Sequence, residues 1–128
     1  VDILHDVGRS INPSIDKGQI EGGFVQGLGW LSMEELVYAN DGTLMTHSPA
    51  TYKIPAFSDS PINWNVEFYK GDGNIEETIN RSKAVGEPPF MLAMSVFFAY
   101  SHALTSLKES YPSLNSPATA ERLYFTQF

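Results

Sequence analysis

The chain contains no cysteine. A disulfide framework, a thiolate zinc site and a locally ligated iron–sulfur cluster are therefore excluded, and any such centre must be supplied from elsewhere. Basic residues are scarce as well, with 8 lysines and arginines against 15 aspartates and glutamates and a formal charge of −7. Without a positive field to neutralise a phosphate backbone, nucleic-acid binding is disfavoured. Long apolar runs are also missing. The most apolar stretch, Phe90 to Leu104, is interrupted by Ser95, Ser101 and His102. It falls short of the roughly 20 residues needed to span a bilayer and is read as a buried core helix, with no membrane partner expected. No basic leader precedes an apolar segment and a cleavage site, so a signal peptide is not expected. The chain opens at Val1 in what reads as mid-strand, and its start is taken as a cut end.

What is present is sufficient for a core. Of the 128 residues, 42% are hydrophobic and 12% aromatic, enough for one compact domain of modest size or a piece of a larger one. After the opening strand, Gly8 to Ser14 collects turn formers, and Asp16 is placed to cap a helix from about Lys17 to Glu35. Within it, Gly18, Gly22, Gly23, Gly27 and Gly29 each weaken an isolated helix by about 1 kcal/mol relative to alanine. Gly18 with Gly22, and Gly23 with Gly27, are i, i+4 pairs that expose backbone on two faces. Close packing against a strand, a helix or a ligand would account for them. Leu36–Ala39 and Thr43–Thr46 around Asn40-Asp41-Gly42 predict a hairpin. From His47 to Pro61, Pro49, Pro55 and Pro61 predict a structured loop anchored by Tyr52, Ile54 and Phe57. The alternation of Trp64, Val66 and Phe68 with Asn65, Glu67 and Tyr69 predicts a half-buried strand, and Gly71 to Asn80 a polar loop.

Pro88 and Pro89 favour the first turn of a helix, predicted from about Pro89 to Ser110 and buried on most faces. A short final helix is expected after Ser116-Pro117, capped by Ser116 or Thr119. The fold class that results is mixed α/β (α+β), with two long helices packed on a few strands and one long Pro-rich loop, all within a single unit over residues 1–128.

Among residues able to do chemistry, Glu87 stands first. It lies in Ala84-Val85-Gly86-Glu87-Pro88-Pro89, between a flexible glycine and two stiff prolines. A helix N-terminus favours its charge, whereas burial against apolar neighbours would raise its pKa and make it a general base; a capping or solvated glutamate is the alternative. Gln19 and Gln26 lie two turns apart on nearly one helix face, where their amides could meet a polar ligand, although surface placement would serve equally. His5, His47 and His102 have no partner at metal-ligand spacing and are read as structural, so no metal ligand is assigned. Ser82-Lys83 is a weak Ser–Lys signal. Gly71-Asp72-Gly73 and Gly27-Leu28-Gly29 lack the strand–loop–helix setting of a phosphate loop. Asp6, Asp16, Glu34 and Glu35 would be the carboxylates of a small glycoside hydrolase, without a feature that sets their separation. Three readings stay open: an enzyme fragment organised around Glu87, a noncatalytic packing or interaction segment, and an acidic hydrolase.

Five segments in order narrow the choice: Asp6-Val7-Gly8 with Ile11-Asn12-Pro13; Gly18-Gln19-Ile20-Glu21-Gly22 through Gln26-Gly27; Ser48 to Pro55; Ser82-Lys83-Ala84-Val85-Gly86-Glu87-Pro88-Pro89; and Ser116-Pro117-Ala118-Thr119. Together they resemble the C-terminal end of the molybdenum-binding portion of the xanthine oxidase family of molybdenum hydroxylases, over almost the whole chain. The resemblance implies a fragment of a molybdopterin-binding domain, with molybdenum–molybdopterin as cofactor and 2Fe–2S clusters and FAD in other domains or subunits. It implies a hydroxylation with water-derived oxygen, in which a glutamate matched by Glu87 takes the proton of a metal-bound hydroxyl and hydride passes to a sulfido ligand. Gln19 matches a glutamine that hydrogen-bonds the cofactor. Gly86 would let backbone approach it, and Lys83 would contribute nearby; Gln26 matches a recurrent position of unassigned role. Within the family, Gly86-Glu87-Pro88-Pro89 is more similar to xanthine dehydrogenases than to aldehyde oxidases. That leans the substrate towards hypoxanthine and xanthine, with an aldehyde or another N-heterocycle as the alternative. Implied partners are the remainder of the molybdenum subunit, the iron–sulfur and FAD modules and a purine, in the cytoplasm. Alone, the chain is expected to be inactive, to bind molybdopterin weakly or not at all, and to self-associate through the glycine-rich helix and the Phe90–Tyr100 face.

Overall fold

A computed structural model describes residues 1–107 and 110–126. The opening strand is β1 (Asp2–His5), with Ile3 turned inward. Helix α1 (Pro13–Ser32) begins at Pro13 rather than Lys17, because its cap is Asn12 and not Asp16. The Asn12 side chain accepts from the Ile15 amide at 3.3 Å, and Pro13, which has no N–H to lose, occupies the first turn. Asp16 lies inside that turn and accepts from the Ser10 hydroxyl at 2.5 Å. The helix ends at Ser32 rather than Glu35, since the Met33 and Glu34 amides both turn back to the Gly29 carbonyl at 2.9 Å. Asn12→Ala is expected to cost about 1 kcal/mol, read as a lower urea midpoint for the chain.

Strand β2 (Asn65–Phe68) pairs with β1 in parallel, with Ile3 opposite Val66. A parallel pair needs a crossover, and α1 with the long loop supplies it. Ile20, Phe24, Leu28 and Leu31, spaced to share one helix face, meet Ile3, Val7, Val66 and Ala93 in the core. Phe24 also stands edge-on to Trp64, with ring centres 5.5 Å apart.

Other expectations change once packing is seen. The hairpin keeps its turn, with Gly42 at φ +86°, but pairing is limited to the bridge between Tyr38 and Leu44. Leu36, Val37, Tyr38 and Met45 are exposed, so no apolar face holds longer strands together. In the long loop Tyr52 is an anchor, its hydroxyl donating to Glu34 Oε2 at 2.6 Å. Ile54 and Phe57 are not, and Phe57 is 96% exposed. The loop is instead held by polar contacts, Asp59 accepting from the Ala56 amide at 2.7 Å and from Lys53 Nζ at 2.9 Å.

The second long helix is two helices, α2 (Pro88–Leu92) and α3 (Met94–Thr105). They part at Ala93, where the Ala93 and Val96 amides take the carbonyls three residues back, at 3.2 and 3.0 Å. Nor is it buried on most faces: Pro89, Ala93, Ser101 and Leu104 are buried, while Met91, Leu92, Met94 and Phe98 are exposed. Of the remainder expected to reach Ser110, residues 108–109 lie outside the described residues. Helix α4 (Ala120–Thr126) is capped by Thr119, whose hydroxyl accepts from the Arg122 amide at 3.3 Å, and not by Ser116. The Ala118 amide donates to the Leu31 carbonyl at 2.7 Å and Arg122 pairs with Glu35, joining this end to α1. The mixed α/β class therefore holds, built on a smaller sheet and a divided second helix. Among the described residues no helix is long and apolar enough to cross a membrane.

Candidate functional site

The two glycine pairs of α1 meet opposite fates. A Cβ at Gly23 would lie 3.2 Å from Pro89 Cβ. One at Gly27 would overlap the Phe90 carbonyl oxygen and sit 2.7 Å from Ala93 Cβ, so here the missing side chains admit α2. At Gly18 and Gly22 a Cβ would meet no atom of the described residues within 4 Å. That open face, with Gln19, Gln26, Val85, Gly86, Glu87 and Phe90, walls a cleft of about 580 Å³. A Cβ at Gly86 would meet only Pro88 Cδ, at an ordinary 3.7 Å. Gly18, Gly22 and Gly86 thus have no packing reason among the described residues, although the first two weaken the helix by about 1 kcal/mol each.

Glu87 lies immediately before α2 and its backbone carbonyl accepts from the Phe90 amide at 2.9 Å. Its side chain makes no hydrogen bond or ion pair with any described residue and is exposed. The apolar burial expected for it is therefore not provided by this chain; a drier setting requires material from outside it. Gln19 and Gln26 are exposed along the same cleft, with side-chain amides unengaged among the described residues.

The four carboxylates considered for hydrolysis are each engaged. Asp6 takes Lys83, Asp16 takes Ser10, Glu34 takes Tyr52, and Glu35 takes Arg122. No free pair among them faces a common space, which removes the residue basis for that reading. The Ser–Lys suggestion fails similarly: Ser82 Oγ accepts from the Ala84 amide at 3.0 Å, and Lys83 Nζ is held by Asp6 Oδ2 at 2.6 Å. Among the described residues no group of three or more His, Cys, Asp or Glu could hold a metal.

Lys83 is not brought to the cleft. It belongs to a tie between the β1–α1 connection and the segment leading to Glu87. Asp6 accepts from the Gly8 amide through Oδ1 at 2.9 Å and from Lys83 through Oδ2. The Lys83 amide donates to the Val7 carbonyl at 2.9 Å, and the Arg9 amide to the Arg81 carbonyl at 3.1 Å. Gly8 is required, since at φ +65° a Cβ would stand 2.5 Å from the Arg81 carbonyl oxygen. The hydrogen bond from Lys83, and after it that from Gly8, holds the Asp6 carboxyl below the usual carboxylate range. The folded pKa is the lower one, so this contribution is complete above the unfolded value of about 3.9 and fades as the pH falls through the folded value. This tie was missed in the sequence, where only an aspartate two residues ahead of a glycine hinted at a turn.

Residues 1–61 match the molybdopterin cofactor-binding domain family. The chain is 49% identical over 99% of its length to xanthine dehydrogenase 1 of Arabidopsis thaliana. It is 48% identical over 95% of its length to xanthine dehydrogenase/oxidase of Felis catus. It spans 10% of the length of each of these relatives. In fold it is similar to quinoline 2-oxidoreductase from Pseudomonas putida 86, with a TM-score of 0.79 and 30% identity over 97% of this chain and 15% of that one. Sequence and fold agree along nearly the whole chain, which is similar throughout to xanthine dehydrogenases and carries the molybdopterin cofactor-binding domain match in its first 61 residues.

Proposed function

We propose that residues 1–128 are the C-terminal portion of a molybdopterin-binding domain and that, in the full-length enzyme, Glu87 is the base of a hydroxylation using water-derived oxygen. The observation that carries this is the cleft itself. It gathers Gln19, Gly86 and Glu87, three residues singled out from the sequence, along backbone of Gly18 and Gly22 that no atom of the described residues covers. A purely packing role accounts for Gly23 and Gly27 but leaves Gly18, Gly22 and Gly86 without a reason.

The site fits molybdenum–molybdopterin. A flat polar ring system needs backbone it can lie against and amides that can both donate and accept; Gly18, Gly22 and Gly86 offer the first, and Gln19 offers the second. When bound, the cofactor supplies a Lewis acid and an electron acceptor. Glu87 receives the proton at its carboxylate, which no hydrogen bond or ion pair among the described residues engages. Gln19 holds the cofactor in place, while Val85 and Phe90 give the cleft an apolar side. Lys83 acts behind the loop rather than on the cofactor. The likeness to xanthine dehydrogenases favours a purine, hypoxanthine or xanthine, as substrate. The rest of the molybdenum subunit, 2Fe–2S clusters and FAD complete the enzyme in the cytoplasm, and the chain by itself is inactive and self-associates.

Gly22 tests the cofactor assignment. In the 128-residue chain Gly22→Ala is expected to raise stability by up to about 1 kcal/mol, since propensity improves and nothing is struck. In the full-length enzyme Gly22→Leu is expected to lower molybdenum and pterin content at least about tenfold, because about 1.4 kcal/mol of lost binding has that effect. Unchanged metal loading in a folded Gly22→Leu enzyme would remove the cofactor from this cleft.

A further inference from the structure

Glu87 has no side-chain partner among the described residues, so its carboxylate is aimed by the backbone that carries it. On the downstream side that backbone is secure: Pro88 and Pro89 restrict it, and Pro89 is buried against Gly23. Upstream lies Gly86, a free joint, then Val85 packed against the core, and Ala84 at φ +55°, a conformation alanine rarely adopts. Such a residue persists only where its surroundings hold it. The Ala84 amide donates to Ser82 Oγ at 3.0 Å, and residues 81–83, which carry that serine, are fixed by the tie at whose centre Asp6 spends one oxygen on Gly8 and the other on Lys83.

We propose that Asp6 is a positioning residue for Glu87, acting through Lys83 to hold the upstream end of the segment that presents the carboxylate to the cleft. The proposal rests on the reading of Glu87 as the base. As a half-exposed ion pair, Asp6–Lys83 adds little to stability. Its value lies in geometry, because a base displaced by an ångström loses much of its advantage.

The test uses the full-length enzyme. Asp6→Asn keeps an acceptor for the Gly8 amide and removes the charge that holds Lys83; Lys83→Met removes the other partner. Each is expected to lower kcat about tenfold, with KM changed less than about twofold and molybdenum content unaltered. The double variant is expected to be no worse than either single one, since both break the same link. Unchanged kcat in Asp6→Asn, losses that multiply in the double variant, or a kcat that falls only in step with metal content would each overturn the proposal. Should Asp6→Asn fail to accumulate as folded enzyme, Lys83→Met decides by the same kcat and metal criteria. Glu87→Gln, assayed in parallel, separates the two ideas. Retained turnover there defeats the base reading whatever Asp6 does, whereas lost turnover with a silent Asp6→Asn defeats the positioning role alone.

Discussion

Glu87→Gln in the full-length enzyme is expected to lower turnover by about 10²- to 10⁴-fold while molybdenum and pterin content stay at the parent level. Glutamine keeps the size and polarity of the side chain but has no carboxylate to receive a proton. The substitution is unusually clean at this position. The Glu87 side chain supports no hydrogen bond or ion pair among the described residues, so its replacement breaks nothing that holds the chain together. At Asp6 or Glu35 the same exchange would also remove the charge of an existing ion pair. A loss of activity with normal metal loading is therefore a loss of chemistry. Turnover within a few-fold of the parent would eliminate Glu87 as the base.

Gly27→Ala is expected to destabilise the 128-residue chain by about 1–3 kcal/mol, opposite in sign to Gly22→Ala although both lie in one helix and both improve helix propensity. The difference lies in what the new methyl meets. At Gly27 it strikes the Phe90 carbonyl oxygen and Ala93 Cβ, and the former is backbone that cannot step aside alone. To make room α2 must move away from α1, and α2 begins directly after Glu87. The same substitution in the full-length enzyme is accordingly expected to reduce kcat as well. Urea unfolding of the two alanine variants checks the first point. Shifts in the same direction would show that the two glycine faces are not differently used.

Part of the candidate site is legible in the sequence. Glu87 is marked by its place between turn chemistry and two prolines and Gln19 by its place in the glycine-rich helix, Gly86 and Lys83 only by the family resemblance. The cleft brings Glu87, Gln19 and Gly86 together and leaves Lys83 outside. Of the two settings open to Glu87, burial or solvation, this chain provides the exposed one; exposure depends on what else packs there, and a local pattern of apolar neighbours carries no record of that. The same reason explains Phe57 and Ile54, which are apolar loop residues left in solvent. The cap of α1 is a different case: Asn12 and Asp16 are both good caps, and it is Asn12, directly ahead of Pro13, whose side chain accepts from the Ile15 amide.

The sequence by itself determined the order of strand, glycine-rich helix, Asp-Gly turn, second strand and Pro-led helix. Capping, restricted φ and side-chain period act over a few neighbouring residues. Tertiary structure alone decided which glycines admit α2 and which stay open, that the second helix parts at Ala93, and that Asp6 takes a lysine 77 positions away. Those outcomes depend on the distance between atoms remote in the chain, and local propensity contains no measure of it.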